Sequence, residues 1–163
     1  MARSGEGEAS AERVVLEQRG GNLTLDLFVL MQHLSALLEE AFAGSGISAS
    51  QYAVYSQLAR GSVTPGELGH TLGLRPATLS GYLATMESRG HVARTRSDAD
   101  RRSHVLALTP QGRAQWEAGR ARIRAVVRSL TTELGGADEV RAMRLLLGRL
   151  DDAVLAAAER LHR

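Results

Sequence analysis

From Asn22 to Ala43 apolar residues recur at Leu27, Leu30, Met31, Leu34, Leu37, Leu38 and Ala41. That three- and four-residue spacing predicts a helix with a broad apolar stripe, ended by Gly44-Ser45-Gly46. Ser48 stands three residues before Gln51, a capping box that opens a second helix running to about Arg60. Thr64-Pro65-Gly66-Glu67 repeats the signal with proline at the first helical position. This third helix is short and stops at Gly73, a left-handed cap. Pro76 opens a fourth helix that reaches Gly90. There the period changes, and His91–Arg96 and Ser103–Leu108 read as two strands of a hairpin around the polar turn Ser97–Arg102. Thr109-Pro110 starts a long fifth helix carrying Trp116, Ile123, Val126, Val127 and Leu130. After Gly135-Gly136 a last helix carries Val140, Met143, Leu147, Leu150, Val154 and Leu161. The stretch before Gly21 is rich in Gly, Ser and Glu and is expected to be a mobile N-terminal segment (1–21), though Val14-Val15-Leu16 would allow some helix.

The expected fold is therefore mainly α with a small β-hairpin. Leu68 and Leu72 of the third helix are spaced to pack on Leu79, Leu83 and Met86 of the fourth. Burying those leaves Ala77, Gly81 and Ala84 on the opposite face, flanked by Thr78, Ser80 and Thr85. Such a small, unobstructed face suits a helix that enters a DNA major groove. A plain pair of packed helices would explain the leucines, but not the adjoining hairpin with Arg94, Arg96, Arg101 and Arg102. Two short helices, a turn and an arginine-tipped hairpin make a winged helix-turn-helix.

Composition narrows the function. The 163 residues include 20 arginines, no lysine and no cysteine, with a formal charge of only +2. The charge is unevenly spread: residues 89–104 carry five Arg against two Asp, and residues 112–130 five Arg against one Glu. A basic middle on a near-neutral chain fits a polyanion partner. Without cysteine there is no disulfide, thiolate metal site or thiol redox sensor. The five histidines show no metal-ligand spacing, and no cofactor is expected. No nucleophile elbow, phosphate loop or dinucleotide fingerprint occurs, so an enzyme is not expected. The N-terminus lacks the apolar stretch of a signal peptide and no run approaches the ~20 residues of a membrane span. The expectation is a cytoplasmic protein without a membrane partner.

Gly66–Gly112, GELGHTLGLRPATLSGYLATMESRGHVARTRSDADRRSHVLALTPQG, resembles the core of the MarR (multiple-antibiotic-resistance regulator) family. Its most specific part is Asp100-Arg101-Arg102 followed by Leu108-Thr109 and Gly112, after a helix ending Glu87-Ser88-Arg89-Gly90. With the flanking helices the resemblance spans about residues 22–161. It implies a winged helix-turn-helix DNA-binding domain over 48–111 and N- and C-terminal dimerisation helices over 22–47 and 112–163. It further implies a homodimer on pseudo-palindromic double-stranded operator DNA, a repressor released by a small aromatic or anionic effector. By the same resemblance Arg102 is the wing-tip arginine of the minor groove and Asp100 the acid that orients the wing arginines. Arg94, Arg96 and Arg101 are candidates for phosphates, Thr64 for a phosphate at the cap of the third helix, and Thr78 and Ser80 for base or backbone contacts near the start of the fourth, where Ala77 shares the outward face left by the packing. Thr64 also has a purely local role as a cap, Ser80 as a partner of its own helix, and Asp100 as a turn residue.

Two departures stand out. Arg75 occupies the N-cap of the fourth helix, where the family commonly has Ser or Asp, and Arg cannot accept the bonds of an N-cap. The free N–H groups of that turn, with Arg75 beside them, suit a phosphate. Gly81 and Thr85 stand where the family often carries Arg, so the helix has no long donor between Arg75 and Arg89 and base readout should be thin. For the effector, the resemblance places a pocket where the first, second and fifth helices meet the winged domain, and His33, Tyr52 and Tyr55 are its candidates. Each has the alternative of an ordinary structural residue. The rival reading of the whole chain is a winged-helix protein-interaction adaptor without specific DNA binding.

Overall fold

The computed structural model describes residues 22–96 and 104–163. Helix α1 (Leu23–Phe42) is capped by Asn22, whose side chain accepts from the Leu25 N–H. Helix α2 (Ala49–Leu58) opens with the expected reciprocal Ser48/Gln51 box, and α3 (Pro65–Leu72) with the Thr64/Glu67 box. Gly73 ends α3 at φ 61°, a left-handed turn that glycine adopts without strain. Helix α4 (Pro76–Ser88) leads through Gly90 into β1 (Val92–Arg96), antiparallel to β2 (His104–Leu108), with Val92 opposite Leu108 and Arg96 opposite His104. Two backbone bonds between Val63 and Leu106 add the α2–α3 loop to the free edge of β2. Helices α5 (Pro110–Glu133) and α6 (Ala137–Leu161) complete the chain. The mainly α fold with a two-stranded wing is borne out, with β1 beginning one residue later than its sequence pattern.

One core holds the middle of the chain. Val54, Tyr55 and Leu58 of α2, Leu68 of α3, Leu79, Leu83 and Met86 of α4, and Val92 and Leu106 of the hairpin are all buried together. Burial of each such side chain contributes roughly 1.5–3 kcal/mol, which fixes the angle at which α4 leaves α3. Helix α5 reaches back across this core to α1. Arg122 donates to the Ala41 and Ala43 carbonyls at 2.8 and 3.2 Å, completing the C-terminus of α1. The ends of the molecule are the opposite case. Helix α6 buries no residue, and Leu145 (69% exposed), Leu146, Leu155 and, on α1, Leu23, Phe28 and Met31 lie open.

Two glycines are imposed by packing. A Cβ on Gly112 would overlap the His91 carbonyl, with the carbonyl carbon at 2.8 Å, and one on Gly119 would stand 2.5 Å from the Tyr52 ring. Gly81, in contrast, has nothing within 4 Å. Gly112→Ala is therefore expected to destabilise by about 2–3 kcal/mol or more, because backbone cannot yield as a side chain does. Gly81→Ala should stabilise by about 0.5–1 kcal/mol through helix propensity. Thermal unfolding of both variants checks the pair, and equal shifts would contradict the packing.

Candidate nucleic-acid interface

Helix α4 offers its outer face as the spacing requires. Ala77, Thr78, Ser80, Gly81 and Ala84 are exposed, while Leu79, Leu83 and Met86 hold the inner face in the core. The flanking Thr85 is half-buried, and its hydroxyl donates to the Gly81 carbonyl at 3.0 Å, so it is turned onto its own helix. Arg75 provides no side-chain cap, leaving the first-turn N–H groups of α4 without a side-chain acceptor. Pro76 at the first position removes one of those donors without cost to the helix.

The wing strand meets this face. Ser80 of α4 and Arg94 of β1 line one cleft of about 340 Å³ together with Gly66 and His70 of α3. Arg94 is held there by Glu87, Nε to Oε1 at 3.1 Å, with both side chains partly exposed. An ion pair so open to water contributes at most about 1 kcal/mol and is easily exchanged. Thr64 is more committed. Its N–H and its hydroxyl both donate to the Glu67 carboxylate at 2.8 Å, and the hydroxyl accepts from the Glu67 N–H. Those bonds, the backbone one foremost, hold the Glu67 carboxyl below the usual carboxylate range. Neither donor of Thr64 is free, and a phosphate arriving there meets a carboxylate. Arg96 pairs through its backbone with His104. Asp100, Arg101 and Arg102 lie outside the described residues.

The three effector candidates do not converge. His33 is exposed on α1. Tyr52 lines a cleft of about 460 Å³ between α2 and α5, along with Ser56, Arg60, Trp116 and Arg120. There the Arg120 guanidinium lies 5.4 Å from the centre of the Trp116 ring, within cation–π range, and contacts Glu117 at 3.4 Å. Tyr55 is fully buried in the core; its hydroxyl lies 2.6 Å from His91 Nδ1. Burial raises the Tyr55 pKa, with Arg89 acting against it, so the phenol keeps its proton; with no other partner for that hydroxyl among the described residues, donation to Nδ1 is the arrangement that satisfies it. Sequence spacing does not disclose this pair. Its one signal is weak: a histidine directly after the glycine that ends α4, at the start of a strand.

The MarR family profile matches residues 45–103. The transcriptional activatory protein BadR of Rhodopseudomonas palustris is 31% identical over 117 residues, 69% of this chain and 67% of its own length. The chain belongs to the MarR family. Among solved structures, a mutant of E. coli MarR complexed with operator DNA matches with TM-score 0.67 and 27% identity, over 78% of this chain and 94% of that one. Bordetella bronchiseptica BpsR, whose DNA binding is regulated by 6-hydroxynicotinic acid, matches with TM-score 0.71 and 25% identity, over 80% and 94%. The α4 face of this MarR-family chain has no arginine between Arg75 and Arg89, and the described residues hold no group of three or more metal-ligating side chains. None of their helices is long and apolar enough to cross a membrane.

Tyr55→Phe keeps the ring and leaves Nδ1 of a nearly buried imidazole without its donor, an expected loss of about 1–3 kcal/mol. Chemical denaturation measures it, and an unchanged midpoint would mean that the bond contributes nothing.

Proposed function

We propose that this MarR-family protein is a homodimeric, sequence-specific DNA-binding transcriptional regulator of the cytoplasm, a repressor that a small aromatic or anionic molecule releases from a pseudo-palindromic operator. The observation that carries the reading is the open, small-residue face of α4 beside the wing arginine Arg94, held rigidly by the core beneath. Ala77, Thr78 and Ser80 face the major groove, and Arg75 and Arg94 take phosphates at the two margins of that face. Arg96 and Arg101 hold further phosphates, and Arg102, set by Asp100, enters the minor groove as the family resemblance implies. Thr64 contacts the backbone only where Glu67 gives way. Residues 48–111 form the DNA-binding unit. The segments 22–47 and 112–163 form the dimer interface, which covers the exposed leucines of α1 and α6. Binding of MarR to operator DNA and regulation of BpsR by a small aromatic acid support the same reading. The effector site is the α2–α5 cleft, where Arg120 offers positive charge above the Trp116 ring and Arg60 lines the wall. Tyr52 contributes to its wall.

Titration against the DNA flanking its own gene, and against a scrambled duplex, at several salt concentrations tests the reading. Failure to bind either would overturn it and leave a protein-interaction adaptor. Arg102→Ala should weaken both duplexes and lower the salt slope by about one for every phosphate that each subunit no longer neutralises. Thr78→Ala should weaken the operator alone, by about 1 kcal/mol per half-site. Glu87→Gln should strengthen both duplexes several-fold, since it frees Arg94 and removes a negative charge from the binding face. Equal effects of Thr78→Ala on both duplexes would contradict this division.

Trp116 is the single tryptophan of the chain and lines the cleft, so its fluorescence reports occupancy directly. An aromatic carboxylate that displaces the operator should quench it, and Arg120→Ala should abolish both effects. Displacement without quenching would move the effector elsewhere.

A further inference from the structure

The recognition helix, the wing and the long α5 helix meet at one residue that the DNA reading does not use. The His91 N–H donates to the Met86 carbonyl at the end of α4, 2.9 Å, and the His91 carbonyl accepts from Thr109 at the start of α5, 3.0 Å. Its side chain, 9% exposed, crosses to α2 and meets the Tyr55 hydroxyl. The imidazole thus ties the α4–β1 junction to the core of α2 by a side-chain hydrogen bond. Arg89, two residues earlier, anchors the same junction to the Gly46 carbonyl at 2.7 Å.

We propose that His91 is a positioning residue: its uncharged imidazole, accepting from Tyr55, fixes α4 and the wing in the arrangement that binds DNA, and its protonation loosens that arrangement. The proposal rests on the DNA-binding reading. A tyrosine hydroxyl that keeps its proton donates to Nδ1 only if Nδ1 carries none, so the pair selects the neutral ring with hydrogen on Nε2. In the imidazolium both facing groups carry hydrogen, and Tyr55 must turn its own away inside a packed core.

The surroundings do nothing to welcome the charge. Tyr55 is the titratable group on the α2 side and Arg89 on the α4 side, the latter a like charge. Glu87, on the last turn of α4, is engaged by Arg94 of β1. Helix α5 brings the bare backbone of Gly112 against the His91 carbonyl and the amide of Gln111 against Gly90. No ion pair involving His91 occurs among the described residues. Burial first, and Arg89 second, lower the His91 pKa from its ordinary 6.5. A histidine whose folded pKa is depressed stabilises the fold fully above 6.5, and that contribution is lost as pH falls through the folded value. Operator binding, which needs α4 and the wing together, is expected to follow the same direction.

The experiment compares the full-length wild type with His91→Gln, whose amide can accept from Tyr55 but does not titrate. From pH 7.5 to 5.5 the operator Kd of the wild type should rise about two- to fivefold more per subunit than that of the variant. Identical pH profiles would overturn the proposal. Nitrogen-15 NMR of the wild-type histidines, without DNA, supplies the second measurement should the variant fold poorly. One ring should show hydrogen on Nε2 alone and remain neutral below pH 6.5. A His91 ring that carries hydrogen on Nδ1 at pH 7, or titrates at or above 6.5, overturns the proposal whether or not DNA binds. A protein that binds no DNA but passes the NMR test instead fails the DNA-binding reading.

Discussion

Between the end of α4 and the start of α5 there is no room for one carbon atom. Gly112 lies so close to the His91 carbonyl that any side chain would displace backbone. Thr109 closes the same junction from both sides, since its hydroxyl donates to the Gly90 carbonyl at 2.7 Å and accepts from the Gly112 N–H at 3.0 Å. The exit of the fourth helix, the first residue of the wing and the cap of the fifth helix are therefore one hydrogen-bonded knot. A junction built from backbone transmits displacement where a side-chain contact would absorb it. The orientation of α5, which also carries Trp116 and reaches α1, cannot change without acting on the helix that offers Thr78 and Ser80.

What is legible in the sequence is what local chemistry decides. Ser48 with Gln51, Thr64 with Glu67, Pro76 and Gly73 act within three or four residues of themselves, and each sets the element boundary that its pattern predicts. The inner and outer faces of α4 are legible because a helix has one period and the leucines occupy one side of it. Strand β1 begins at Val92, one residue after its pattern does, because His91 is spent on the junction, its N–H bonded to α4 and not to the opposite strand.

The site is harder to see wherever two distant segments make it. Tyr55 and His91 are 36 residues apart and Arg122 and Ala41 are 81 apart, and nothing in either neighbourhood announces its partner. Counting acids within the hairpin does not find the partner of Arg94, because Glu87 belongs to the preceding helix. The effector candidates have suitable side chains on the right helices. Residue type does not fix the direction a side chain faces, and so Tyr55 falls in the core, Tyr52 in a cleft and His33 in the open.

The chain leaves two kinds of surface unfinished, and they are not independent. The α4 face is polar, small and without arginine between Arg75 and Arg89, so each base contact it makes is weak. The faces of α1 and α6 are apolar and continuous along most of their length. On the proposed reading the apolar pair closes first, because hydrophobic association needs no DNA. Closing it fixes the distance between two copies of α4 at a value the protein sets. Weak readers held at a fixed spacing discriminate by geometry: a duplex must present two grooves about one helical turn apart and bend to suit. Poverty of contact on α4 is then compensated by rigidity behind it, and that rigidity is what the Gly112–His91 junction supplies.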